Sequence, residues 1–272
     1  MKDDLAASPS TAPARAAASG PRVRAVPAVT RALAILRLLG RQRAPLGVKA
    51  IARELDLVPS TALHILRALV AEQLVRVDPG TKQYSLGVGM LSLARSVMEN
   101  SGFATVVQPE LDRVSRSYGV TAIGLELLGL EHMVVVALSR ARTPIRLHVD
   151  IGSRFPALIS ATGRCVAAFG EHPAAELKKR FRSLLWQSAP SWETWQKEVE
   201  TVRRQGYSVD RGNYIAGVTV VAVPVLSAGK ALSHSIAAVG LLNQLDRAAT
   251  VALAHDMQKA AATVASQLLA WR

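Results

Sequence analysis

One cysteine, Cys165, occurs in 272 residues, so an intramolecular disulfide is impossible, a cysteine-based structural zinc site cannot be built, and a reducing cytoplasm is the simplest setting. No apolar run reaches the roughly eighteen residues of a membrane-spanning helix. The longest such stretches, Met133 to Leu138 and Val220 to Leu226, are strand-sized. Lys2, Asp3 and Asp4 lead into an Ala/Pro/Ser-rich stretch with no hydrophobic region, unlike a secretory signal. The six histidines include no His-Glu-x-x-His pattern, and Gly87-Val-Gly89 lacks the rest of a dinucleotide fingerprint. Cys165, on an Ala-rich stretch, reads as a packed thiol rather than a nucleophile. No catalytic residue, metal or cofactor is therefore expected.

Acids are also scarce. The chain carries 33 Lys or Arg against 20 Asp or Glu, a formal charge of +13, which favours a polyanionic partner such as nucleic acid or an anionic membrane. No basic amphipathic helix with bulky apolar anchors is present, which ranks the membrane last. Half of the residues are apolar, and a chain of this length is expected to form two domains.

Residues 1–27 are dominated by Ala, Pro, Ser and Arg and read as a disordered arm. From Val29, helical periodicity begins: Ala32, Ile35, Leu36 and Leu39 form one stripe. A shorter helix follows with Val48, Ile51, Ala52 and Leu55, and a third begins near Pro59, with Ala62, Ile65, Leu66, Leu69 and Val70 on its apolar face. Ser60, His64, Arg67 and Ala71 share another stripe, with Thr61 beside them, a surface suited to reading a groove. Leu74 to Val77 and Gln83 to Leu86 flank Asp78-Pro79-Gly80-Thr81 as the strands of a hairpin wing. Residues 22–86 hold eleven Lys or Arg against four acids.

Gly87 to Asn100 reads as a linker helix within residues 87–104. Beyond it, residues 105–272 alternate helices (Val106–Tyr118, Ala157–Phe169, Ala174–Phe181, Trp192–Gln205, Arg247–Trp271) with strands (Val120–Leu128, Met133–Ser139, Ile145–Val149, Tyr207–Val209, Thr219–Leu226, Ser235–Leu242). That interleaving predicts an α+β domain on a largely antiparallel sheet.

The runs Arg31-Ala-Leu-Ala-Ile-Leu, Ile51-Ala-Arg-Glu-Leu, Ser60-Thr61-Ala62 and Tyr84-Ser-Leu-Gly resemble the DNA-binding domain of the IclR-type (isocitrate lyase regulator) family. Gly152-Ser-Arg-Phe-Pro-Ala-Leu-Ile-Ser-Ala-Thr-Gly163-Arg is similar to that family's pocket-forming loop and helix, and Arg204-Gln-Gly-Tyr-Ser-Val-Asp210 to its late signature. The resemblance covers about residues 28–270. It implies an N-terminal winged helix-turn-helix (28–86), a linker helix and a C-terminal GAF-like α/β effector domain, assembled as a homodimer or dimer of dimers, with promoter binding changed by a small organic, carboxylic effector. Two departures stand out at the DNA end: Leu63-His64 replaces the family's basic or His-containing pair, and the proline is displaced to Pro59. At the pocket, Gly217-Val-Thr-Val220 replaces a Gly-x-Arg-Cys stretch, and Gly240 and Leu242 stand where small hydroxyl side chains are frequent. A larger or more apolar ligand follows, such as an aromatic or branched acid.

The expected DNA contacts are double-stranded phosphates at Arg31, Lys49, Arg53, Arg76 and Lys82, and base edges or nearby phosphates at Ser60, Thr61, His64 and Arg67. An ordinary solvated basic surface is the competing reading of each cation. The expected effector contacts are Ala161, Gly163, Asp210, Val220, Gly240 and Leu242, with Asp210 the main polar one. Core packing competes for the apolar members and a turn or cap carboxylate for Asp210. The alternative function is a small-molecule sensor or enzyme whose N-terminal domain makes protein contacts only.

Overall fold

The computed structural model describes residues 26–42, 44–100, 102–140, 149–227 and 232–270. The N-terminal arm up to residue 25 and most of the strand expected at Ile145–Val149 lie outside them. The chain divides into two compact units between Ala94 and Arg95.

The first unit opens with α1 (Pro27–Arg41), whose first residue is a proline that needs no intrahelical acceptor; the helix thus takes up the last residue assigned to the arm. Strand β1 (Leu46–Gly47), α2 (Val48–Glu54), α3 (Pro59–Ala71), β2 (Val75–Val77) and β3 (Gln83–Leu86) follow, and the division between the units falls within α4 (Gly89–Asn100). Ile35, Leu38, Leu39, Ile51, Leu66, Leu69, Val75 and Tyr84 form one small core, so the three predicted stripes do face each other. A three-stranded antiparallel sheet in the order β1-β3-β2 carries the wing. Its two-residue first strand has too short a pattern to be read from sequence.

Between α2 and α3 the chain reverses at Asp56, in the left-handed region (φ 51°), and the Leu57 amide donates to the Ala52 carbonyl at 2.8 Å. Helix α3 ends similarly, with Gln73 at φ 59° and the Leu74 amide on the Leu69 carbonyl at 2.9 Å. The chain leaving β3 packs directly on that turn: the Gly87 amide donates to the Leu74 carbonyl and the Gly89 amide to the Gln73 carbonyl. A Cβ at Gly87 would collide with the Gln73 carbonyl group. Gly87-Val-Gly89 is therefore a packing motif. Gly87→Ala is expected to destabilise the first unit by about 3 kcal/mol, measured as a lowered urea midpoint of its unfolding transition.

The second unit contains α5 (Gly102–Tyr118), β4 (Thr121–Leu128), β5 (His132–Leu138), β6 (Arg154–Pro156), α6 (Ser160–Phe169), α7 (Ala174–Phe181), α8 (Trp192–Gln205), β7 (Ser208–Arg211), β8 (Val218–Leu226), β9 (Leu232–Leu241) and α9 (Arg247–Ala270). Six strands pair antiparallel in the order β6-β5-β4-β9-β8-β7. Alternate residues along each strand point to opposite faces. Ile123, Leu125, Val135, Ala222 and Ala237 meet α6, α7 and α8 through Val166, Leu177 and Trp195. Ala122, Val221, Val223, Ile236 and Ala238 meet α5 and α9 through Val107, Leu111, Leu253 and Met257. The result is a three-layer α/β unit on an antiparallel sheet.

Two termini matter for the site. Ser191 caps α8 by accepting from the Thr194 amide at 3.1 Å, and Gly206 (φ 78°) ends it, turning the chain into β7. Helix α6 begins at Ser160, three residues later than expected, because Ala157–Ile159 form a buried irregular link from β6.

On β9, His234 stacks on Phe103 with ring centroids 4.0 Å apart, and burial pushes its pKa down to about 4. Its neutral form is favoured in the native state, so stability is fully present above the unfolded value near 6.5 and is lost as pH falls from there toward 4. Urea midpoints measured between pH 7 and pH 4 are expected to fall over this window, and His234→Phe to fall less.

Candidate functional site

Helix α3 is held by its buried side, Ala62, Leu66 and Leu69, which leaves the opposite side outward. Ser60, His64, Arg67 and Ala71 are all exposed and Thr61 is half-buried, so the polar stripe is a continuous surface. Arg31 on α1, Lys49 and Arg53 on α2, Arg76 on β2 and Lys82 in the wing turn are exposed as well. Among the described residues none of these side chains pairs with an acid; Arg76 alone has a polar partner, its Nε donating to Ser85 Oγ at 2.8 Å. Exposed cations in the same unit as an exposed polar helix face are able to neutralise phosphates while short side chains approach base edges.

The wing turn is ordered by its own side chains. Asp78 Oδ1 accepts from the Thr81 amide at 2.6 Å and from Thr81 Oγ1 at 2.9 Å, which holds its carboxyl below the usual carboxylate range.

In the second unit the six expected effector residues fall into two groups. Asp210, Val220 and Val239 share one row across β7, β8 and β9, and Val220 and Val239 pack in the core shared with α6, where Ala161 is fully buried. Gly163 stands where α6 crosses the Leu158 backbone so closely that a Cβ would collide with it. Gly240 and Leu242 do not join them. Gly240 faces Val120 and Leu245, on the α5 and α9 side, and Leu242 lies in the turn after β9 with its amide on the Gly217 carbonyl at 2.9 Å. The separation has a simple cause: a shift of one residue along a strand exchanges the faces, and Val239 occupies the α6 side.

Sequence reasoning missed the group around which the polar residues assemble. Arg164, only 1% exposed, extends from α6. Its Nε donates to Glu198 Oε2 at 2.6 Å, Nη1 to the Ser160 carbonyl at 3.0 Å and Nη2 to Asn213 Oδ1 at 3.3 Å, and Nη1 lies 3.8 Å from Asp210 Oδ2. Its guanidinium sits 5.9 Å from the Trp186 ring centroid. Asp210 Oδ1 accepts from the Asn213 amide at 2.8 Å, so this carboxylate does cap a turn, while Oδ2 has no hydrogen-bond partner. Ser160 Oγ and Trp186 Nε1 are likewise buried without one. Ser160 also adopts φ 57°, a left-handed conformation that costs a serine about 1 to 2 kcal/mol. Strain and unsatisfied polar atoms cluster at functional sites. The available signal was the placement of one arginine in an otherwise small and apolar run, Ala161 to Ala168.

Cys165 is fully buried against the Ala222 carbonyl (3.5 Å), and burial pushes its thiol up to about 12. It is a packed thiol. Among the described residues no group of three His, Cys, Asp or Glu is placed to hold a metal ion, and no helix is long and apolar enough to cross a membrane.

A model of the IclR helix-turn-helix domain matches residues 28–79, and a model of the C-terminal domain of IclR bacterial transcriptional regulators matches residues 95–266. The chain belongs to the IclR family of transcriptional regulators. An uncharacterized HTH-type regulator of Escherichia coli, RhmR, is 28% identical over 91% of this chain and 95% of its own length. The glycerol operon regulatory protein of Streptomyces griseus is 27% identical over 92% and 99%. A solved IclR regulator from Alicyclobacillus acidocaldarius superposes with a TM-score of 0.78 at 26% identity, covering 90% of this chain and 99% of its own. An IclR homologue from Microbacterium hydrocarbonoxydans, solved with 4-hydroxybenzoate, shares the fold at TM-score 0.75 and 19% identity, over 89% and 99%. The module bearing the α3 stripe is thus an IclR helix-turn-helix, and the protein is a DNA-binding transcription regulator.

Removing Arg164 would leave Asp210 buried without its cation. Arg164→Met is expected to cost about 3 kcal/mol in urea unfolding, and Asp210→Asn in the same chain to return part of it. A loss in the double variant equal to the sum of the losses of Arg164→Met and Asp210→Asn alone would mean that the two groups are not coupled.

Proposed function

We propose that this regulator reads duplex DNA with Ser60, Thr61, His64 and Arg67 of α3 while Arg31, Lys49, Arg53, Arg76 and Lys82 neutralise phosphates. The observation that carries the reading is the exposed α3 stripe, backed by a buried apolar side, in a unit whose five named cations are exposed and make no ion pair among the described residues. In this reading residues 28–86 bind DNA, 87–104 form the linker and 105–272 bind the effector.

The effector is a small organic acid bound at the start of α6, with Ala161, Gly163, Asp210 and Val220 of the expected set around it. The strained Ser160 and the unpartnered Asp210 Oδ2 and Trp186 Nε1 beside Arg164 support that location. Trp186, Tyr214 and Phe155, packed at the edge of the same core, favour a flat or bulky ligand, in keeping with the 4-hydroxybenzoate held by the Microbacterium homologue. Ligand binding alters promoter occupancy by favouring one arrangement of a dimer, or dimer of dimers, over another. The chain acts in the cytoplasm as a regulator and catalyses no reaction.

Fluorescence titration with a duplex from upstream of the protein's own gene tests the DNA reading. Affinity is expected to fall steeply as salt rises, with His64→Ala altering the preference among half-sites by about tenfold. Weak binding at every salt concentration would instead support a protein-contact module. Adding 4-hydroxybenzoate, whose hydroxyl can donate to Asp210 Oδ2, is expected to shift the midpoint, and Asp210→Ala to abolish the shift.

A further inference from the structure

The wing contains one acid. Between Leu74 and Gly87 the charged residues are Arg76, Asp78 and Lys82, and a carboxylate on a surface that approaches phosphates works against binding by simple charge repulsion. Its contacts point inward along the hairpin. The Asp78 amide donates to the Gln83 carbonyl and its own carbonyl accepts from the Lys82 amide, both at 2.9 Å. Its Oδ1 takes the Thr81 amide and hydroxyl together. Pro79 and Gly80 complete a five-residue reversal in which Lys82, not a glycine, holds the left-handed conformation (φ 56°). A lysine adopts that backbone only where its neighbours over-determine it, and Asp78 supplies the largest share of those restraints.

We propose that Asp78 is a positioning residue of the wing: its carboxylate makes no DNA contact but fixes the turn that presents the Lys82 ammonium to a phosphate. This rests on the reading that the wing lies on DNA. It assigns the cost of a local negative charge to pre-organisation of the neighbouring positive one, since a flexible lysine otherwise loses side-chain and backbone freedom on binding.

Charge and geometry predict opposite signs for one substitution. If Asp78 acts only as a charge, Asp78→Ala strengthens DNA binding. If it positions Lys82, Asp78→Ala weakens binding about three- to tenfold and lowers the slope of log K against log salt by about 0.9, the share of one phosphate contact. Asp78→Asn keeps the Oδ1 acceptor without the charge and is expected to bind at least as tightly as the natural chain.

The experiment measures anisotropy of a labelled duplex from upstream of the protein's own gene, across a salt series. It compares the full-length protein with Asp78→Ala, Asp78→Asn, Lys82→Ala and the Asp78→Ala/Lys82→Ala pair, each checked for an unchanged thermal midpoint. The expected result is that the double variant binds no worse than Lys82→Ala alone. Thr81→Val, which removes one of the two bonds to Oδ1, serves if Asp78→Ala does not fold, and is expected to give a smaller loss of the same kind. Binding by Asp78→Ala as tight as that of the natural chain, with Lys82→Ala weakened, overturns the positioning role and leaves the wing on DNA. Unchanged affinity and slope for Lys82→Ala overturn both.

Discussion

A six-stranded sheet covered by helices on both faces offers its central strands no side that faces water. Along β4, β8 and β9 both alternating sets of side chains are consumed by packing, one against α6–α8 and the other against α5 and α9. A polar atom admitted to this interior must bring its own partner or lose free energy. The backbone meets that demand through the antiparallel ladder, and several side chains meet it locally, as Ser235 Oγ does by donating to the Val223 carbonyl at 2.8 Å. The demand is met only in part at Trp195 Nε1, Ser208 Oγ and Thr219 Oγ1 and, beside Arg164, at Ser160 Oγ, Trp186 Nε1 and Asp210 Oδ2, where three such atoms accompany a buried ion pair.

The N-terminal module works under a different constraint. Its core is small, so its helices are short and their ends are settled by backbone reversals at Asp56 and Gln73 and by the glycine contact on Gln73. Few of its side chains are needed inside, which frees one whole stripe of α3 and most of its basic residues for the surface. Positive charge that finds no acid within the module is available to a polyanion, and its long-range field accelerates encounter as well as strengthening the complex. In the proposed reading, sequence-independent grip and sequence reading fall to different residues of the same small unit.

Long periodic elements were legible from the residues. The stripes of α1, α2 and α3, the wing, the closing helix and the antiparallel pairing all follow from spacing that packing enforces. Short elements were not: β1 and β6, of two and three residues, carry no period and exist because a neighbouring strand supplies their hydrogen bonds. Of the residues expected around the effector, Asp210, Val220, Ala161 and Gly163 lie in α6 or on its side of the sheet, whereas Gly240 faces the α5 and α9 side and Leu242 stands in the turn after β9, a separation that strand alternation imposes and that spacing alone does not reveal. Arg164 was visible as a residue but not as a hub, because Glu198 reaches it from α8 and Asp210 and Asn213 from β7 and the turn after it.

That hub bears on how a ligand could change this molecule. Arg164 ties α6 to α8 through Glu198, to the β7 edge through Asp210 and to the following loop through Asn213, and the same loop meets Ser188 and Gln187 beside Trp186. A ligand that supplied partners to Asp210 Oδ2, Ser160 Oγ or Trp186 Nε1 would relieve penalties that the ligand-free unit now carries, so part of its binding energy would come from satisfying atoms already desolvated. Such a gain exists only in the arrangement that keeps those atoms together. If the effector binds there, as proposed, the buried defects around Arg164 would furnish the differential affinity between two states without which no effector can shift an equilibrium.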